Sequence, residues 1–310
     1  MKVLINGVEK RFNKIETIED IGSVARQFTL LEKSEKQNIL IDDVVEIYND
    51  FGKLVIKGEI EYVEANLDDK TSEFIYAGRN KAKYIVDCYA DKTTQFSQGQ
   101  KINTVLSEIA NGFGLEVVGD AQMPKQDMKT ILIGNKIIDA FLEIANSVGK
   151  IITSDAVGNL LIEFEASDKS DKILEFGTNI VKRKFIQDTT KVFDQYITVA
   201  QSNYLVEQTQ DVFVKGVYGQ GKFIKTKVLQ NCLTSQECEN ISKIEYKKDV
   251  RKSYVYTATI NTVELDLNTQ YFIKDAQLGI NEQMNCKTLM NIVNEDTKET
   301  IAVFEKVLND

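Results

Sequence analysis

Apolar residues along this chain follow a period of two, then one near 3.6, then two again, and few folds accommodate that order. Glu59-Ile60-Glu61-Tyr62 alternates polar and apolar, as a half-buried strand does. Val3-Leu4-Ile5, Glu73-Phe74-Ile75-Tyr76 and Tyr84-Ile85-Val86-Asp87-Cys88 read as further short strands. Val44–Tyr48 and Lys53–Lys57 flank Asn49-Asp50-Phe51-Gly52, a hairpin connection. Several short strands at short spacing predict a barrel or sandwich over residues 1–90.

The period then changes. Val105, Leu106, Ile109, Ala110 and Phe113 fall on one helical face, and Gly114 offers the left-handed stop. The pattern returns at Phe141, Ile144, Ala145 and Val148 with Gly149 behind it, and Glu108-Ile109-Ala110-Asn111 matches Glu143-Ile144-Ala145-Asn146 residue for residue. Each helix leads into a short apolar strand, Leu115–Val118 and Ile151-Ile152. Two copies are too few for a solenoid and predict a small α/β domain over 91–178, with a turn at Asp155–Asn159. Residues 179–310 return to strands at Phe193–Ala200, Asp211–Val217, Tyr254–Val263, Tyr271–Asp275, Cys286–Val293 and Thr300–Val307. Thr234 with Glu237 forms a capping box, so one helix is inserted near 235–251. The predicted class is β-rich α+β, two antiparallel β-barrel-like domains flanking a small α/β domain.

The chain is poor in catalytic groups. It has 310 residues and no histidine, which removes Ser-His-Asp and Cys-His catalysis and the His-containing zinc motifs. Cys88, Cys232, Cys238 and Cys286 form no Cys-x-x-Cys pair and read as buried thiols. Gly219-Gln220-Gly221-Lys222 lacks phosphate-loop spacing and reads as a hairpin turn. Asp155–Asn159 lacks the ligand alternation of a calcium loop. The acidic pairs Glu19-Asp20, Asp42-Asp43 and Asp68-Asp69 read as solvated turns. No metal and no cofactor is expected. The net charge of −9 disfavours a duplex-DNA binder. The N-terminus has only three consecutive apolar residues after Lys2, too few for a signal peptide, and no apolar run reaches membrane-spanning length. Folding in a cytoplasm without a membrane anchor is the expectation. A glycan-binding module would expose aromatics, yet there is no Trp and the 12 Tyr sit mostly within predicted strands.

One string carries the strongest signal. Gly78-Arg79 is followed by Asp87-Cys88, then in order by the helical segment Ile102–Val117, the turn Gly158-Asn159-Leu160, Asp194-Gln195-Tyr196 and the helix at Ser235–Arg251. Taken together they resemble the baseplate hub family of contractile-tailed phages, the Mu-like tail protein P group related to the late control gene D proteins. Gly78, Arg79, Asp87, Cys88, Gly158, Asn159, Tyr196 and Gln201 are the motif positions, as structural residues. The chain departs from the family's Tyr-x-Val-x-Gly-Gln at Tyr196-Ile197-Thr198-Val199-Ala200-Gln201.

The resemblance implies a structural protein without enzymatic activity. Three subunits, each with two related β-barrel domains, would form a ring adapting a sixfold tail tube to a threefold central spike and lining the DNA exit channel. Implied partners are further copies in a homotrimer, the spike protein, the tail tube or tube-initiator protein and other baseplate proteins, with DNA only in transit. The implied location is the virion tail baseplate, assembled in the host bacterial cytoplasm. A tail-tip cell-wall hydrolase and a glycan-binding tail module are the alternatives.

Overall fold

A computed structural model describes residues 1–68, 72–96, 100–119, 129–131, 133–164, 168–202, 213–233, 235–261 and 264–308. The first block contains seven strands, β1 Lys2–Ile5, β2 Val8–Lys10, β3 Lys14–Asp20, β4 Ser23–Lys33, β5 Val44–Tyr48, β6 Leu54–Leu67 and β7 Ser72–Asn80. Their alternating residues put Phe28, Leu30, Ile47, Ile60 and Tyr76 into one apolar cluster.

The middle block contains α1 Lys83–Asp87, β8 Thr94–Phe96, α2 Ile102–Ala110, β9 Val117–Val118, β10 Lys129–Ile131, α3 Ile137–Ser147, β11 Ile151–Ser154 and β12 Leu160–Glu163. The two helices expected from the repeated face are present. Their apolar stripes meet around Leu106, Phe141 and Ile144, over a sheet in the order β11-β12-β9. One expectation fails. Tyr84–Cys88 is no strand; helix α1 occupies it and Cys88 caps that helix in extended backbone. Ile85-Val86 invites a strand reading, but one turn of helix buries Ile85 beneath the sheet end.

The remainder contains β13 Asp168–Glu175, β14 Ile180–Gln187, β15 Gln195–Ser202, β16 Phe213–Gly219, β17 Ile224–Leu233, α4 Ser235–Lys252, β18 Tyr254–Ile260, β19 Thr269–Asp275, β20 Ile280–Asn294 and β21 Lys298–Lys306. Helix α4 falls where the capping box predicts it, although Thr234 lies outside the described residues, as do 211–212 and 262–263 of two expected strands. The Gly219–Lys222 hairpin reading is corrected. Strands β16 and β17 do not pair, because β15 lies between them, antiparallel to one and parallel to the other. The link therefore passes over the start of β15. A Cβ on Gly219 would stand 2.4 Å from the Asp194 carbonyl oxygen, and one on Gly221 2.2 Å from the Asp194 Cβ. Both glycines are required by this close passage.

The two β blocks repeat one topology. In the first, the sheet order is β3-β4-β7-β6-β5; in the last it is β14-β18-β21-β20-β19. Numbered within each block, both read first, second, fifth, fourth, third, and every neighbouring pair is antiparallel. Each fourth strand carries an irregularity at the equivalent place, between Ile60 and Tyr62 in β6 and between Cys286 and Thr288 in β20. The unit β15-β16-β17-α4 is an insertion between the first and second strands of the later block. The two blocks are joined edge to edge by β20 and β3, from Thr288 opposite Asp20 to Asn294 opposite Lys14. The result is one continuous arc, β14-β18-β21-β20-β3-β4-β7-β6. No sheet closes on itself among the described residues, so the β-rich class holds and the sheets observed are open.

Gly78 shows how tightly the arc is wound. A Cβ there would lie 1.9 Å from the Glu59 carbonyl oxygen and 2.6 Å from the Phe28 ring. Gly112, by contrast, has nothing within 4 Å. Gly78→Ala is expected to cost about 3 kcal/mol or more through this overlap, and Gly112→Ala less than about 0.5 kcal/mol. Urea unfolding of the two variants checks the contrast.

Candidate functional site

Six of the eight motif residues meet where the arc hands over to the middle block. Arg79, near the end of β7, forks between two carboxylates. Its Nε and Nη2 donate to Glu61 at 2.8 and 3.0 Å, and Nη2 and Nη1 donate to Asp87 at 2.5 and 3.2 Å. The planar guanidinium suits this double bidentate contact, which a lysine could not reproduce. Lys83, on the first turn of α1, places its Nζ 2.8 Å from Glu59 and 3.6 Å from Glu61. The Tyr84 hydroxyl donates to Glu59 at 2.9 Å. Two cations and three carboxylates thus bind β6, β7 and α1 together.

The charges respond to one another. Hydrogen bonding from Arg79 holds the Asp87 carboxyl below the usual carboxylate range. Glu59 is lowered by its hydrogen bond from Lys83, against some loss of solvation. Burial opposes the charge on Lys83, but the hydrogen bond to Glu59 and the attraction of both glutamates outweigh it, and its pKa is raised.

The Asp155–Asn159 turn docks from the other side. The Asp155 Oδ1 accepts from the backbone N–H groups of Val157, Gly158 and Asn159 at 2.9, 2.8 and 2.9 Å. Its Oδ2 accepts from Asn159 Nδ2 at 2.9 Å. Gly158 has φ +109°, and a Cβ would sit 2.6 Å from the Ala82 nitrogen and 2.7 Å from that of Lys81. The glycine therefore lets the turn rest directly on the entry to α1. Asn159 Oδ1 accepts from the Glu116 backbone at 3.1 Å, fixing β9. Buried Asn80 donates to Ser154 Oγ and to the Asp155 carbonyl, each at 3.0 Å, and Ser154 Oγ donates to the Val24 carbonyl at 2.5 Å. Cys88 is half-buried against the middle core, and its carbonyl accepts from Ile137 at 3.1 Å.

Tyr196 and Gln201 lie apart, on β15. The Tyr196 hydroxyl donates to Asp249 on α4 at 3.0 Å and accepts from the Phe193 N–H at 3.1 Å, so this buried residue pins α4 to its sheet. Gln201 pairs with Phe213 and Cys232 through its backbone; its side chain lies outside the described residues. The residues that sequence reasoning missed are Glu59, Glu61, Asn80, Lys83 and Asp155. The alternation of Glu59 and Glu61, two residues apart beside the Gly78–Asp87 string, was the available signal.

The three blocks also enclose a cavity of about 600 Å³ lined by Glu19, Arg26, Lys53, Glu163, Asp266 and Lys298 among others. Burial pushes the Glu19 carboxyl up, while Arg26 at 2.6 Å opposes it. Asp50 receives the Met1 amino group at 2.7 Å and Lys298, whose contacts hold its carboxyl down at about 2. Lys53 reaches Asp266 at 3.1 Å. Of these ion pairs, Lys53–Asp266 and Lys298–Asp50 cross between the β blocks, and Leu54, Val55, Ile260 and Leu289 give the cavity wall an apolar part. Among the described residues no cluster of three or more Cys, Asp or Glu is placed to hold a metal, and no helix is long and apolar enough to cross a membrane.

With this geometry in view, the comparisons find similarity to phage tail proteins, among them those of Mu-like prophages. Residues 82–164 match the family model "Baseplate hub protein gp44-like, second domain". The crystal structure of the prophage MuSo2 43 kDa tail protein from Shewanella oneidensis superposes with a TM-score of 0.84 at 17% identity, covering 98% of this chain and 97% of that one. The tail protein from Neisseria meningitidis MC58 gives 0.80 at 19% identity, covering 98% and 95%. The particular relative is baseplate hub protein gp44 of Escherichia phage Mu, 22% identical over 174 residues. That match spans 54% of this chain and 45% of gp44, less than half its length. The resemblance to the Mu-like baseplate hub family expected from the motif order therefore holds.

Two predictions follow from the charges. Lys83→Met is expected to cost about 2–3 kcal/mol, because Glu59 and Glu61 lose a buried partner. In the intact protein the depressed Glu59 carboxyl contributes stability that is present above its unfolded value near pH 4 and lost as pH falls through the folded value. The variant should lose that acid dependence, which thermal melts across pH 2–7 would reveal. Asp50 behaves likewise with a window between about pH 4 and its folded value of about 2. Its side chain is 48% exposed, so Asp50→Asn should cost under about 1 kcal/mol. The cost should fade as pH falls through about 2 in the same melts.

Proposed function

We propose that the chain is the structural hub of a contractile-tail baseplate, acting as a ring of three copies and not as an enzyme. The single observation that carries this reading is the duplicated strand topology. Each copy sets two equivalent four-stranded segments, β14-β18-β21-β20 and β3-β4-β7-β6, side by side in one arc. Three copies would present six such segments, a near-sixfold wall for a tail tube, while the copies themselves keep the threefold symmetry of a spike. Each segment with its second layer, β5-β1-β2 or β13-β19, is the barrel-like unit of this scheme. The three-part division at about residues 90 and 178 stands with it, and the apolar clusters favour joints close to the β7–α1 and β12–β13 connections.

The seam at Arg79 fits a rigid joint. Its contacts are charge-assisted and backbone-directed, so they fix the middle block to the arc without a moving part. The arc face turned away from the cores carries Lys14, Lys182 and Arg79, each held by a carboxylate: Lys14 by Glu16 at 2.8 Å, Lys182 by Glu299 at 3.2 Å, Arg79 by Glu61 and Asp87. Paired cations on a chain of net charge −9 would let DNA pass without being gripped. A central spike, the tail tube or its initiator, and other baseplate proteins are the partners of such a ring, in the virion tail.

Light scattering on the purified full chain tests the reading. It predicts a mass of three copies with rising concentration; a monomer at every concentration, with and without a spike protein, overturns it.

A further inference from the structure

The cavity between the three blocks has a floor that packing alone does not explain. Along β3 the inward positions run Ile15, Thr17 and Glu19, so a carboxylate stands where the alternation calls for a third core residue. Arg26, in step with Phe28 and Leu30 on β4, stands beside it. Taking such a pair out of water costs solvation that an apolar pair would not lose. An inward charge of this kind marks a place where the fold gives way to another demand.

The floor keeps acceptors open. Arg26 Nη1 meets Glu19 Oε2 at 2.6 Å and donates to the Val55 carbonyl at 3.0 Å, while its Nε donates to the Ser154 carbonyl at 3.1 Å. Glu19 Oε1 has no hydrogen bond among the described residues. Thr153, on β11, lines the same cavity and is 5% exposed, and its hydroxyl has no partner among the described residues either. A buried hydroxyl and a buried carboxylate oxygen without donors are costly unless something supplies them.

The walls are aliphatic and the mouth is acidic. On β12, Leu161 and Glu163 face the cavity while Leu160 and Ile162 turn into the middle core. Leu54 from β6 and Leu265 from the later block face it too. The aromatic lining residue, Phe51, is exposed, so the walls offer no aromatic cage of the sort that takes quaternary ammonium groups. The Glu264 and Asp266 side chains are 38% and 56% exposed, against 14% for Glu19, and so stand at the solvent end. Lys53 serves Asp266 at 3.1 Å and stands 4.0 Å from Glu264. Glu163 is met by Asn268 at 3.1 Å, with no cation in ion-pair range among the described residues.

We propose that this cavity binds a linear aliphatic polyamine, with one ammonium donating to Glu19 Oε1 and the Thr153 hydroxyl, the methylene chain against Leu54, Leu161 and Leu265, and a second ammonium at the Glu163, Glu264 and Asp266 carboxylates. An ammonium carries three donors and no acceptor, which matches a floor of open acceptors. A bare metal ion would leave the aliphatic walls unfilled, and an anion would meet carboxylates at both ends. A volume of about 600 Å³ suits a small organic ligand. Burial disfavours the Glu19 charge, and a bound ammonium offsets that. The site lies within one chain and stands apart from the ring reading.

Calorimetric titration of the full chain with spermidine, at about 150 mM salt, tests the assignment. Saturable one-to-one binding is expected. Glu19→Gln should weaken it roughly tenfold and Thr153→Val roughly threefold, through the lost acceptors. Leu161→Trp, which fills the passage, should abolish it, and Glu64→Gln, an exposed carboxylate on β6, should leave it unchanged. Propylamine, which satisfies one end only, should bind at least about tenfold more weakly. Magnesium at equal concentration should displace nothing. Thermal melts establish that each variant is folded; if Glu19→Gln is not, Thr153→Val and Leu161→Trp decide. No saturable binding, binding unchanged in the folded cavity variants, or displacement by magnesium overturns the assignment. The copy number of the assembly enters none of these results.

Discussion

The backbone ladder between β20 and β3 is the contact on which the rest of the architecture depends. It joins the last block of the chain to the first, with partners more than 260 residues apart, and converts two separate sheets into one arc. Side chains reinforce it: the Thr288 hydroxyl donates to Asp20, and the Asn291 side chain reaches Thr17. A ladder of this kind needs two otherwise unpaired edges, here the whole of β3 against the second half of β20. It therefore ties the folding of one block to that of the other.

The seam at Arg79 is the second fixed point. Gly78 allows β6 and β4 to close on β7, and Arg79 then turns the corner by holding Glu61 on the sheet and Asp87 on the helix. Gly158 and the Asp155 turn lock the far side. Between them lie buried Lys83, whose ammonium meets Glu59, and buried Asn80, whose amide nitrogen donates to Ser154 and the Asp155 carbonyl while its Oδ1 has no hydrogen-bond partner. Such a network costs stability when broken singly, which suits a joint that must not open.

Much of the fold was legible because period reports burial directly. Helices α2 and α3 showed their stripes, α4 its capping residues, and most inner strands their alternation. Edge strands were harder. Asp168–Glu175 and Ile180–Gln187 were missed because charge along an edge masks the apolar face, and that masking is itself how edges avoid wrong partners. Helix α1 was misread since a single turn is too short to show a period. The motif residues were found as markers of order, but their physical roles depended on contacts that sequence spacing does not reveal. Nothing in the string Gly78-Arg79 states that a Cβ would strike the Glu59 carbonyl. The repeat between the β blocks was implied only by the family resemblance, since most equivalent positions, such as Leu30 and Ala258, share burial and little else.

The central claim is that two equivalent strand sets in each copy form one continuous wall. An electron cryomicroscopy map of the assembled ring tests it most directly. The account predicts three copies, each setting its two equivalent four-stranded segments side by side through the β20–β3 ladder, so that six segments face the channel. A ring of another copy number, or one whose channel is lined by the middle blocks or the β15-β16-β17 insertion, would contradict it.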